Sequence, residues 1–239
     1  MRDLDVRTAL RRELERQHHG DDRTMIVEEM GVWSGTVRVD VAVINGELCG
    51  YEIKSARDNL LRLPSQENLY SQVFDRVTLV VAEQHAAKSR GLVPDWWGSI
   101  VAVPESDGTV ALKLGRPAAL NPSVNALQLT RLLWRSEALT ILHQHGLSKG
   151  YRSAPAEKVF RYLAGELPLE LLRDEVRETL KSRPHWSRKR GGDESKVTIG
   201  ANLDPLRPSA GAGGGIGCNG GDALIAPAIW QPVEIRTCE

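Results

Sequence analysis

Arg38-Val-Asp-Val-Ala-Val-Ile-Asn-Gly-Glu-Leu-Cys-Gly-Tyr-Glu-Ile-Lys54 reads as two strands joined by a tight turn. Val37, Val39, Val41 and Val43 alternate with Arg38, Asp40, Ala42 and Ile44. Asn45-Gly46 is a short-range hairpin signal, since both residues tolerate positive φ. On the second strand a period of two sets Glu52 and Lys54 on one face. Packing gives a half-buried strand no reason to hold a carboxylate beside an ammonium, and Asp40 on the neighbouring strand makes the placement look chemical. A strict two-residue turn would set Asp40 opposite Tyr51. A three-residue turn, or a bulge, would set it opposite Glu52.

Asp…Glu-x-Lys on paired strands is a minimal site for metal-assisted phosphodiester cleavage. Asp40, Glu52 and the backbone carbonyl of Ile53 would offer hard oxygens to Mg²⁺ or Mn²⁺. The metal would activate a water, and Lys54 would hold that water or stabilise the phosphorane. The bland alternative, a salt-bridged strand face, stays open.

At 239 residues, with 41% hydrophobic and 26% charged residues, the chain has the composition of an ordinary globular protein. No apolar run is long enough to span a bilayer, and the first residues carry no apolar leader pattern. The three widely spaced cysteines, Cys49, Cys218 and Cys238, form neither a disulfide framework nor a zinc pattern and suit a reducing cytoplasm. The net charge is zero, but it is unevenly spread. Residues 1–130 hold 15 Lys+Arg against 18 Asp+Glu, and residues 131–190 hold 13 against 7. A basic second part beside an acidic first part is compatible with gripping phosphates.

Residues 3–18 read as an amphipathic helix with Val6, Ala9, Leu10 and Leu14 on its stripe, closed by a glycine stop at Gly20. Thr24 to Val27 is a short strand running into Glu28-Glu29. Glu29, with Glu28 next, is the candidate for a further metal-binding carboxylate, and exposed strand-end acids are the alternative. Met30 to Gly35 reads as a loop. Pro64 opens a helix over Ser65–Phe74, with Gln66 and Tyr70 four residues apart on one face. Arg76 to Ala82 is a nearly continuous apolar run, expected as a buried parallel strand after a helical crossover. A short helix over Gln84–Arg90, a loop carrying Trp96 and Trp97, and a hairpin of Ser99–Val103 with Thr109–Leu114 follow. Gly115 to Ser123 reads as a linker. One helix is expected from Asn125 to Gly146, then helices over Ala156–Ala164 and Leu169–Leu180. The glycine-rich stretch from residue 187 reads as a disordered tail. The domains expected are therefore a core over 1–120, a helical appendage over 121–186 and a tail over 187–239.

Asp40, Glu52-Ile53-Lys54 and Gln66-x-x-x-Tyr70 together resemble the PD-(D/E)XK nuclease superfamily, and the Gln-x-x-x-Tyr element is similar to its RecB-type branch. The string from Gly50 to Gln66, with Trp96-Trp97-Gly98 and Leu132 to Leu139, is similar to a largely uncharacterised "sce" family of bacterial and phage proteins. The likeness covers residues 3–186. Val39 stands where the superfamily name expects proline. The resemblance implies an α/β fold with a restriction-endonuclease-like central mixed sheet flanked by helices. It implies Asp40 and Glu52 as metal ligands, Lys54 as the group serving the attacking water, and Gln66 and Tyr70 lining the substrate site. It also implies a Mg²⁺- or Mn²⁺-dependent nuclease acting on nucleic acid, DNA ahead of RNA, in repair, recombination or phage-related processing. A non-cleaving nucleic-acid-binding or defence-associated accessory protein is the alternative, and a structural partner in a larger assembly is a third.

Overall fold

The computed structural model describes residues 1–32, 35 and 37–184. The expected tail therefore lies outside the described residues. The architecture is mixed α/β: a six-stranded sheet with helices on both faces. Its strands are β1 (Met25–Val32), β2 (Val37–Ile44), β3 (Leu48–Lys54), β4 (Arg76–Ala82), β5 (Gly98–Pro104) and β6 (Val110–Arg116), and they lie side by side in chain order. The pairs β1/β2, β2/β3 and β5/β6 are antiparallel. β3/β4 and β4/β5 are parallel. They need crossovers, which α2 (Leu63–Tyr70) and α3 (Glu83–Ser89) supply. The apolar run of β4 is buried because both of its neighbours are parallel strands and both sheet faces are covered.

The hairpin at the centre uses the three-residue turn. Ile44 pairs with Leu48 across Asn45-Gly46-Glu47, and the Asn45 side chain closes the turn by accepting the Glu47 N–H at 3.0 Å. Carried one step beyond the Val41–Tyr51 pair, this register sets Asp40 level with Glu52.

Each sheet face has its own core. On one, α1 (Asp3–Gln17) buries Val6, Leu10 and Leu14 against Val41, Val43, Tyr51 and Ile53. On the other, Ile44, Leu48, Leu79 and Phe74 join a larger core that continues through α4 (Ala126–Thr130), α5 (Arg135–Gln144), α6 (Ala156–Glu166) and α7 (Leu169–Lys181). Four expectations need correcting. The loop expected at Met30–Gly35 is strand as far as Val32, because Met30 and Val32 are buried in the larger core. The helix expected over Ser65–Phe74 ends at Tyr70, and Val73 and Phe74 follow in a turn that drops both into the core. The linker at Gly115–Ser123 is pinned: buried Asn121 donates to the carbonyls of Ser71 and Phe74, both at 2.8 Å. The single helix expected over Asn125–Gly146 is two. Asn125 caps α4, and the Trp134 N–H goes to Glu137 to start α5. The Leu132 carbonyl, which a continuous helix would keep for itself, accepts instead from Arg183 at 2.8 Å.

No helix among the described residues is long and apolar enough to cross a membrane.

Candidate functional site

Alternation along β3 sends Tyr51 and Ile53 to the α1 face and Glu52 and Lys54 to the α2 face. There the proline-started α2 holds Gln66 and Tyr70 one turn apart above them. Lys54 Nζ lies 2.5 Å from Glu52 Oε1 and 2.9 Å from Gln66 Oε1. The Gln66 amide donates to Glu52 Oε1 at 2.6 Å. The Tyr70 hydroxyl stands 2.9 Å from Glu52 Oε2 and 2.7 Å from the Arg38 carbonyl, and its one hydrogen can serve either. Burial, and then the Glu52 charge, push the Tyr70 pKa well up, so it stays a hydroxyl. The Trp97 ring stacks beside that of Tyr70, with centroids 6.3 Å apart, and its indole N–H reaches Ser71 Oγ at 3.2 Å. The Glu52 and Lys54 side chains are only 3% and 5% exposed. The pair is an internal one, satisfied on all sides.

Asp40 belongs to a second network, organised from α1. Its Oδ2 accepts the Ile53 N–H at 2.7 Å, and its Oδ1 accepts from Arg7 at 2.8 Å. Arg7 also donates to the Asp40 carbonyl and pairs with Glu29 at 2.8 Å and Asp3 at 3.2 Å. Glu29 sits level with Asp40, between the Glu28–Val41 and Met30–Val39 pairs. Its φ of 53° is unusual for a residue with a side chain, and it breaks the strand's alternation. In consequence two successive carboxylates reach the same helix: Glu28 pairs with Arg11 at 2.7 Å while Glu29 pairs with Arg7. The structure thus gathers Glu52, Lys54, Gln66 and Tyr70 in one cluster and Asp40 and Glu29 in another, whose partners approach from the opposite face. The two still feel each other. Burial first, and then the Glu52 charge, raise the Asp40 pKa to about 6, although the Ile53 N–H and Arg7 oppose this.

A divalent ion needs oxygen lone pairs free of donors. Here Glu52 is taken by Lys54, Gln66 and Tyr70, and Asp40 by Arg7 and the Ile53 N–H. Ile53, expected to lend its carbonyl, is in parallel register with Val80 of β4. Among the described residues no three acidic, histidine or cysteine side chains gather as a ligand set. In this arrangement the residues do not fit Mg²⁺ or Mn²⁺, and no chemical step is derived through either.

The family model for bacteriophage P4 protein cII matches residues 2–190. The chain belongs to the bacteriophage P4 cII family. A relative, protein cII of Enterobacteria phage P4, is 28% identical over 185 residues, which are 77% of this chain and 69% of that protein. No solved structure matches. Membership of the cII family overturns the assignment to the PD-(D/E)XK superfamily and its "sce" branch. With it fall the expectations of a nuclease, a hydrolase and a metal-dependent phosphodiesterase. The geometry shows why the motif misled: Glu-x-Lys and Gln-x-x-x-Tyr meet as expected in space, but the lysine amine is spent on Glu52 and Gln66.

Two partners escaped the sequence reading. Arg7 and Arg11 lie four residues apart beside the apolar stripe of α1, and that spacing was the available signal. Asp75 is 3% exposed, accepts the Leu48 N–H at 2.7 Å and pairs with Arg173 of α7 at 3.1 Å. Nothing local marks it, because Arg173 is about a hundred residues away.

Proposed function

We propose that this cII-family protein binds nucleic acid without cutting it and acts by occupying its target, in a regulatory manner. The observation that carries the reading is the separation of charge. The acidic groups of the sheet half are consumed inside the protein by Arg7, Arg11 and Lys54. The part from residue 131 to 190 carries 13 basic residues against 7 acidic ones. Such a surplus attracts a phosphate backbone and releases its counterions. The closed Glu52–Lys54 cluster supports the same reading from the other side, since it holds β3 to α2 and needs no ligand to be complete.

The test is fluorescence anisotropy of the full chain with labelled single-stranded and duplex DNA and with RNA, at 50 and 200 mM salt, in Mg²⁺ and in chelator. The expected result is binding that weakens steeply with salt, is indifferent to chelator and leaves the probe intact. Absence of binding to every probe at the lower salt would overturn the proposal.

A further inference from the structure

Between α5 and α6 the segment Gly146-Leu-Ser-Lys-Gly-Tyr-Arg-Ser153 folds around a cleft of about 350 Å³. Six residues line it: Gly146, Ser148, Lys149, Gly150, Arg152 and Ser153. Apart from the glycines, every lining side chain is a cation or a hydroxyl. Among the described residues neither Lys149 nor Arg152 has an acidic partner, although most other arginines of the helical half are paired. Both are exposed.

The backbone of the segment is equally one-sided. Its carbonyls are used internally. Ser148 accepts from the Tyr151 N–H at 3.1 Å and Tyr151 from the Ala154 N–H at 3.0 Å, and Arg135 of α5 takes the carbonyls of Arg152 and Ala154. The N–H groups of Ser148, Lys149, Gly150 and Ser153 find no acceptor among the described residues. Gly146 and Gly150 have φ of 72° and 83°, a conformation that lets successive N–H groups converge. Donors, hydroxyls and positive charge are thus left over together while acceptors are removed. Such a lining suits an anion with several oxygens.

The segment is also held in place. The Tyr151 ring stacks on Tyr162 of α6 with centroids 3.9 Å apart and planes 10° from parallel. Lys158 lies over the outer part of the same stack, 5.7 Å from the Tyr151 centroid. From residue 143 to 162 there are four Lys or Arg and one Glu. Loops fixed before binding lose little entropy on taking a ligand.

We infer that the cleft over residues 146–153 is a phosphate-binding cradle that receives a backbone phosphate of the bound nucleic acid, Lys149 and Arg152 supplying the charge and the loop N–H groups the orientation. The inference rests on the proposed function for the identity of the ligand, and on the cleft alone for its chemistry.

The experiment separates the two. Amide spectra of the full chain are recorded during titration with inorganic pyrophosphate. Shifts concentrated at Ser148, Lys149, Gly150 and Ser153, and lost in Lys149→Gln/Arg152→Gln, are expected. The same double variant, checked for an unchanged melting temperature, is then compared with the wild type in the anisotropy assay. A tenfold or greater loss of affinity at 0.1 M salt is expected, with a salt slope shallower by about 1.8 on duplex DNA. Lys149→Arg should retain binding within about threefold. Pyrophosphate shifts scattered over the surface, or unchanged in the double variant, would overturn the cradle. Wild-type nucleic-acid binding that the double variant keeps in full would overturn its role in backbone contact while leaving the proposed function standing. Local pyrophosphate shifts without any nucleic-acid binding would retain the anion site and overturn its assignment to a backbone.

Discussion

Replacing Lys54 by Met removes the only cation facing Glu52, and the structure allows the consequence to be worked out. The Lys54 and Glu52 side chains are 5% and 3% exposed, with Nζ 2.5 Å from Oε1. After the substitution the carboxylate keeps two neutral donors, the Gln66 amide and the Tyr70 hydroxyl. Removing one partner of a buried pair typically costs about 3–5 kcal/mol, because the other charge stays desolvated. The methionine fills most of the vacated volume, so cavity formation adds little. In Glu52→Gln/Lys54→Met neither charge remains, and most of the loss should be recovered, leaving the double variant within about 1–2 kcal/mol of wild type. Urea denaturation of the four proteins of this cycle gives the coupling directly. A coupling of at least about 2 kcal/mol is expected, with nucleic-acid affinity unchanged in whichever variants remain folded. If Lys54→Met denatured at the wild-type midpoint, the pair would not be holding β3 to α2, and the internal-lock argument would fail.

The pH dependence follows from Asp40. Its folded pKa of about 6 lies above its ordinary value of 3.8, so its stabilising contribution is complete below about pH 4 and is lost as pH rises through 6. Asp40→Asn should flatten the change in urea midpoint between pH 4 and 7, and an identical profile in wild type and variant would refute the assignment. Tyr70→Phe deletes a hydroxyl within reach of both Glu52 and the Arg38 carbonyl, and a loss of about 1–2 kcal/mol in the same assay is expected. Gly98→Ala would place a Cβ 2.8 Å from the Ala118 backbone nitrogen, where nothing flexible can yield. A destabilisation of about 1–3 kcal/mol is expected, and a neutral result would show that the strand end shifts freely.

Much of the sheet was legible because its signals are local. The alternating valines of β2, the asparagine-glycine turn and the unbroken apolar run of β4 each state a strand within a few residues. The meeting of Glu52, Lys54, Gln66 and Tyr70 was legible for the same reason, since periods of two on β3 and four on α2 fix which side chains face each other. What the periods could not convey is occupancy. Whether Asp40 is open to a ligand depends on Arg7, a residue of another element whose position is set by how α1 packs on the sheet. The turn of Glu28 and Glu29 toward one helix depends on a single positive φ at a residue type that rarely adopts it. The break between α4 and α5 depends on Arg183, fifty residues beyond the carbonyl that it claims. Motif spacing therefore located the cluster, and long-range partners decided its chemistry.

Because the six strands lie in the sheet in the order in which the chain runs, every strand pairing joins neighbours in sequence. Loops closed between such neighbours are short, and the entropy of closing them is modest. A ribosome would deliver each strand directly to the edge left by the one before it. At every stage of synthesis the growing sheet has one new edge seeking a partner, and the next segment to emerge is the correct one. Wrong pairings would have to compete with a partner already tethered alongside.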